Sequence, residues 1–140
     1  MRLCIVYGTR PEFLKLKVLI ERCRAQASLH VYVIKVLQHA DMHDDDGSFD
    51  STIPCENLCR DRLSNIGCNV LQKLPPLLSS CTHVLVQGDT ATAYYAAVCA
   101  FQAKKQIVHL EAGMRTYDLE HPYPEEGFRQ MISRITDIHL

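Results

Sequence analysis

The chain has 140 residues, 47% hydrophobic and 22% charged, with 15 basic against 16 acidic residues and a formal net charge of −1. That length suits one domain, able to bury roughly 68–70% of its unfolded-chain surface. The charge balance leaves no electrostatic footprint for nucleic acid or an anionic membrane, and the apolar run at residues 3–7 is too short for a signal peptide or a membrane span.

That first run, LCIVY, is continuously apolar, as in a strand covered on both faces. Gly8 ends it, Thr9 and Glu12 form a Thr-x-x-Glu capping box, and Pro11 sits in the first helical turn, where its missing N–H does no harm. Leu16, Leu19, Ile20 and Cys23 then share one helical face. A valine-rich strand is expected over His30–Leu37. The stretch 42–56, with Asp44, Asp45 and Asp46 before Gly47, has no periodicity and reads as a loop; the calcium-loop positions that need glycine and glutamate hold Phe49 and Cys55. Residues 57–74 read as a helix through Leu63, Ile66, Val70 and Leu74, ended by Pro75-Pro76. Strands follow at His83–Gln87 and Gln106–Leu110, with an alanine-rich helix over 91–103 between them. A helical pattern covers 125–137, and the apolar run 138–140 then breaks off where a further strand should follow.

Alternating strands and helices predict an α/β fold with a doubly wound parallel sheet. The seven cysteines lack the spacing of structural zinc sites and read as reduced thiols in a cytoplasmic setting. His39 and His43 stand four apart, but without a glutamate in an HExxH frame they argue against a metal. No GxGxxG or GK[ST] loop follows a strand, so neither a nicotinamide cofactor nor a P-loop is expected.

Ligands of open parallel sheets bind beyond the carboxyl ends of the strands. The residues there are Gly8-Thr9-Arg10, Gln38-His39, Gly88-Asp89-Thr90 and Glu111-Ala112-Gly113, with Glu125, Glu126 and Arg129 downstream. Gly8 is open to a plain turn role, and Asp89 to capping a helix. Arg10 opposes the dipole of its own helix N-terminus and is better explained by an anion held between it and the free N–H groups. Glu111 ends an apolar run, where a carboxylate must be paired or must titrate near its working pH.

GTRPE (8–12), QH (38–39), GDT (88–90), HLEAGMRT (109–116) and PEE followed by Arg129 resemble, in order and spacing, the non-hydrolysing UDP-N-acetylglucosamine 2-epimerases. The resemblance runs over 1–140 and implies the N-terminal, Rossmann-like half of a two-domain glycosyltransferase-B type fold with UDP-sugar in the cleft. The implied reaction inverts C2 by eliminating UDP and adding it back to a glycal. By the same resemblance Asp89, Glu111 and Glu125 match the catalytic acids, Arg10, Arg115 and Arg129 the substrate-binding arginines, and Gln38, His39 and Arg60 the site of an activating second UDP-GlcNAc. The chain departs from the family at Phe128, where a polar residue is common, and at Asp44–Asp46, whose charge opposes a diphosphate. The UDP-binding second domain is expected to be absent, making this a shortened product or an isolated domain with little activity of its own. A homodimer through helices 57–74 and 91–103, or a separate chain supplying the second domain, is the expected partner. Two other readings stand beside this one: a non-catalytic remnant that binds a nucleotide sugar or a partner, and an unrelated α/β domain using Glu111 and Glu125 as an acid pair.

Overall fold

The computed structural model describes residues 1–38 and 47–140; His39, His43 and Asp44–Asp46 therefore lie outside the described residues. The elements are β1 (Arg2–Tyr7), α1 (Arg10–Arg24), β2 (His30–Leu37), β3 (Ser51–Pro54), α2 (Arg62–Lys73), β4 (His83–Gln87), α3 (Ala91–Gln102), β5 (Gln106–Leu110), α4 (Glu125–Ile135) and β6 (Ile138–His139). They build one six-stranded sheet in the order β3-β2-β1-β4-β5-β6, every pairing parallel. This is the doubly wound order, whose switch point falls between β1 and β4.

The continuous apolar runs reflect two buried faces. Cys4 and Val6 of β1 point into a core with Ile66 and Val70 of α2, the alanines of α3, and Phe128 and Ile132 of α4. Leu3, Ile5 and Tyr7 point the other way, onto Phe13, Leu16 and Ile20 of α1. At roughly 25 cal/mol per Å² of apolar surface, these faces supply most of the drive to fold.

Three local expectations need correction, and one, the helix end at Pro75-Pro76, is extended. The stretch 42–56 is not loop throughout, because β3 pairs Ser51–Pro54 beside β2. Its four residues bury only Ile53, too little for a periodic signal. The helix expected from 57 starts at Arg62, where Asp61 caps it by accepting the Ser64 amide at 2.8 Å. Pro75-Pro76 ends α2 but carries the chain into a tight 3-10 turn, Pro75–Leu78. The run 138–140 is itself the missing strand: Ile138 pairs with Val108 and His139 with His109.

Candidate functional site

At the switch point the carboxyl ends of β1 and β4 meet the N-termini of α1 and α3. A Cβ on Gly8 would collide with Gln38 and Thr92, so the backbone approach there admits only glycine. Gln38 hydrogen-bonds Thr92 in the first turn of α3. Glu12 does more than cap. Its buried carboxylate accepts the Gly8 amide at 3.0 Å and the Thr9 hydroxyl at 2.8 Å, and its other oxygen accepts the Thr90 hydroxyl at 2.8 Å. Thr90 is the N-cap of α3, accepting the Ala93 amide at 3.1 Å. One side chain thereby locks two helix N-termini together. Burial pushes the Glu12 carboxyl up, against the pull of those donors.

With Thr90 as the cap, Asp89 is released for another contact. Its carboxylate pairs with the guanidinium of Arg129, which is only 6% exposed and whose second nitrogen hydrogen-bonds the Glu111 carbonyl. Arg129 thus holds together the turns after β4 and β5. Glu111 has φ +62°, a left-handed conformation uncommon for a non-glycine residue, and Arg129 grips it at that point. The Glu111 carboxylate is paired, as its position demanded: Lys15 of α1 lies 2.9 Å away and the Gln87 amide donates at 2.7 Å. Beneath them His109 hydrogen-bonds the Gly88 carbonyl through Nε2 at 2.7 Å. A carbonyl only accepts, so Nε2 carries the proton, and Nδ1 is left buried without a partner. Burial pushes the His109 ring below its ordinary range.

The adjacent loop is organised by Glu126 rather than Glu125. Glu126 is buried and accepts the amides of Thr116 (3.0 Å) and Tyr117 (3.2 Å) and the Gln130 side chain (2.8 Å). These bonds, the Thr116 amide first, hold its carboxyl below the ordinary glutamate range. Glu125 opens α4 one turn before Arg129, half-buried, its side chain without a hydrogen bond or ion pair among the described residues. Arg115 spends its guanidinium on the Ala112 and Met114 carbonyls at 2.7 and 2.6 Å and on Ser133 at 2.9 Å, bracing the loop to α4. A cavity of about 390 Å³ is lined by Asp89, Arg115, Arg129, Glu126, Met114 and neighbouring residues. Of the six residues assigned to catalysis and substrate binding, the structure therefore brings Asp89, Arg115 and Arg129 around one cavity. Glu111 is joined to them through Arg129, while Glu125 is outside the cavity lining. Arg10 is exposed as the first residue of α1. Arg60 is exposed on the loop before α2, and no hydrogen bond or ion pair joins it to Gln38. Among the described residues no group of three or more His, Cys, Asp or Glu side chains could hold a metal.

Lys15, Gln87 and His109 escaped sequence reasoning as site residues, and Glu126, named there beside Glu125, was given no role. Gln87 ends the apolar run of β4 as Glu111 follows that of β5, and the same argument applied to it flags it. Lys15 falls one turn after Glu12, and only the sheet order places that turn beside β5. Phe128, the departure from the family pattern, stacks on Tyr94 at 4.8 Å with 6° between planes, seating α4 on α3.

Residues 21–140 match the family model described as UDP-N-acetylglucosamine 2-epimerase. The chain is similar to the UDP-N-acetylglucosamine 2-epimerases of Campylobacter jejuni (36% identity over 99% of this chain and 38% of that protein) and Salmonella borreze (33%, 99% and 38%). A crystal structure of UDP-GlcNAc 2-epimerase from Neisseria meningitidis bound to UDP-GlcNAc superposes with a TM-score of 0.89 at 32% identity, covering 97% of this chain and 39% of that one. The chain thus spans well under half the length of these relatives. No helix among the described residues is long and apolar enough to cross a membrane.

Proposed function

The chain belongs to the UDP-N-acetylglucosamine 2-epimerase family, and from that premise we propose that it forms the N-terminal wall of a UDP-sugar 2-epimerase site. The observation that carries the reading is the Arg129 fork, which joins Asp89 to the backbone of Glu111 beside the switch point.

Inverting C2 of a UDP-2-acetamido sugar removes a hydrogen that no adjacent carbonyl acidifies. Breaking the C1–O bond to UDP as the C2 proton leaves yields the glycal and free UDP. Returning UDP to C1, with a proton delivered to the opposite face of C2, completes the inversion. The chemistry needs proton carriers on both faces and a cationic surround for the leaving diphosphate. We assign Asp89, Glu111 and Glu125 to proton transfer and to the positive charge that develops on the sugar ring. Arg10, at the N-terminus of α1, suits the diphosphate. Arg115 and Arg129 already direct donors inward, so they supply positive potential and bracing rather than a free fork. Gln38, His39 and Arg60 are proposed for a second nucleotide sugar.

A second reading, binding without turnover, is favoured by the exposure of the carboxylates: the side chains of Asp89 and Glu111 are 23% and 30% exposed. In water such groups interact far more weakly than in a closed site. A second wall, from the rest of a longer protein or from a separate chain, would exclude that water. The test follows deuterium entry at C2 of UDP-GlcNAc in heavy water by NMR. The 140-residue chain alone is expected to give none within minutes at micromolar concentration, and exchange is expected once a relative's remaining domain is supplied. Exchange by the chain alone would overturn the need for a second wall. Absence of both binding and exchange in the combined system would overturn the epimerase reading. Free thiols at all seven cysteines support a cytoplasmic setting. Exposed Leu58, Leu71 and Phe101, in or beside α2 and α3, support self-association as a homodimer.

A further inference from the structure

Cys59 and Cys68 take no part in the site above, yet their sulfurs lie 3.1 Å apart. A disulfide needs about 2 Å between sulfurs, so closure asks for a shift of about 1 Å by side-chain rotation. The approach is built into the fold. Asn65, Asn69 and Lys73, spaced four apart along α2, hold the preceding segment onto the helix. Asn65 accepts the Leu58 and Cys59 amides at 2.7 and 3.0 Å. Asn69 accepts the Glu56 amide at 3.0 Å and donates to its carbonyl at 2.9 Å. Lys73 meets the Pro54 carbonyl and the Glu56 carboxylate, each at 2.8 Å. Cys59 is thus delivered to Cys68 by bonds that owe nothing to either sulfur.

We propose that Cys59 and Cys68 form a reversible dithiol–disulfide site whose oxidant is a small-molecule disulfide. Both thiols are half-buried and within reach of solvent. The other close thiol pair, Cys4 with Cys81, is 0% and 4% exposed and is shielded by the core. One sulfur of the pair, as a thiolate, displaces one thiolate from the oxidant and forms a mixed disulfide. The neighbouring thiol, 3.1 Å away, then loses its proton, attacks the first sulfur and expels the second thiolate. The pair is oxidised by two electrons, the oxidant is reduced to two thiols, and these take up the two protons. The crosslink ties the backbone on both sides of Arg60, and with it the Asp61 cap, to the second turn of α2. The proposal does not depend on the epimerase reading.

The test equilibrates the folded chain in mixtures of glutathione and glutathione disulfide, quenches with acid, alkylates free thiols and maps the products by mass spectrometry. Trypsin cuts after Arg60 and Arg62, so a peptide containing Cys59 and one containing Cys68 stay together only through a crosslink. The expected result is that crosslinked pair, a loss of about 2 Da, full reversal by dithiothreitol, and a midpoint at least about 10-fold more reducing than in urea-unfolded chain. Cys59→Ser should stop at a glutathione adduct on Cys68. Persistent adducts on the wild-type chain, two unreacted thiols, a crosslink between Cys4 and Cys81, or equal midpoints in folded and unfolded chain would each overturn the proposal.

Discussion

Replacing Glu12 tests whether one buried carboxylate holds the two helix N-termini of the site together. Glu12→Ala strands the buried Gly8 amide, which costs about 1–3 kcal/mol, and removes an acceptor from the Thr9 and Thr90 hydroxyls, each worth about 0.5–1.5 kcal/mol. The expected loss is about 2–6 kcal/mol, a large fraction of the 5–15 kcal/mol typical of a whole domain. Glu12→Gln separates the network from simple packing. Its amide oxygen can still accept from Gly8 and Thr9, while its NH₂ faces Thr90, whose hydroxyl retains a lone pair for it. The expected loss is then only about 0.5–1.5 kcal/mol. Urea unfolding followed by circular dichroism reads both values, provided that the slope m stays constant. If alanine cost no more than glutamine, or if both fell within 0.5 kcal/mol of wild type, the carboxylate would not be the lock described.

Phe128→Ala, by removing a 9%-exposed ring stacked on Tyr94, should cost about 3–5 kcal/mol in the same assay. His109 is held neutral, its folded pKa below the ordinary 6.5, so below that value the unfolded chain binds a proton that the native chain refuses. Stability should therefore decline as pH falls from 6.5 toward the lowered folded value, and His109→Gln should lose that slope in melts from pH 7 to 5. UDP-GlcNAc should show no C2 deuteration with the chain alone, by the NMR assay above. Light scattering at tens of micromolar should report a dimer, and a stable monomer would refute self-association.

Much of the fold was legible because its signals are local. β1, β2, β4 and β5 are apolar runs long enough to need burial on both faces, and Thr9-x-x-Glu12 marks a helix start by side-chain chemistry alone. β3 and β6 were not legible as strands, because edge strands of four and two residues carry too little pattern to announce themselves. They exist because a neighbouring strand supplies hydrogen-bond partners already in place.

The candidate site divides along the same line. Sequence alone selected the carboxyl-edge turns and, through motif resemblance, Asp89, Glu111, Glu125 and the arginines. It left open whether Asp89 caps a helix and how Glu111 escapes desolvation. Tertiary structure settled both, since Thr90 takes the cap and Lys15 with Gln87 meets Glu111. Those pairings join residues 96 and 24 positions apart, and Arg129 reaches Asp89 across 40. Sequence spacing carries no information about such contacts. They follow from the strand order, which sets β4 beside β1 and β5 beside β4 and so brings α1 and the Glu111 turn to one crevice.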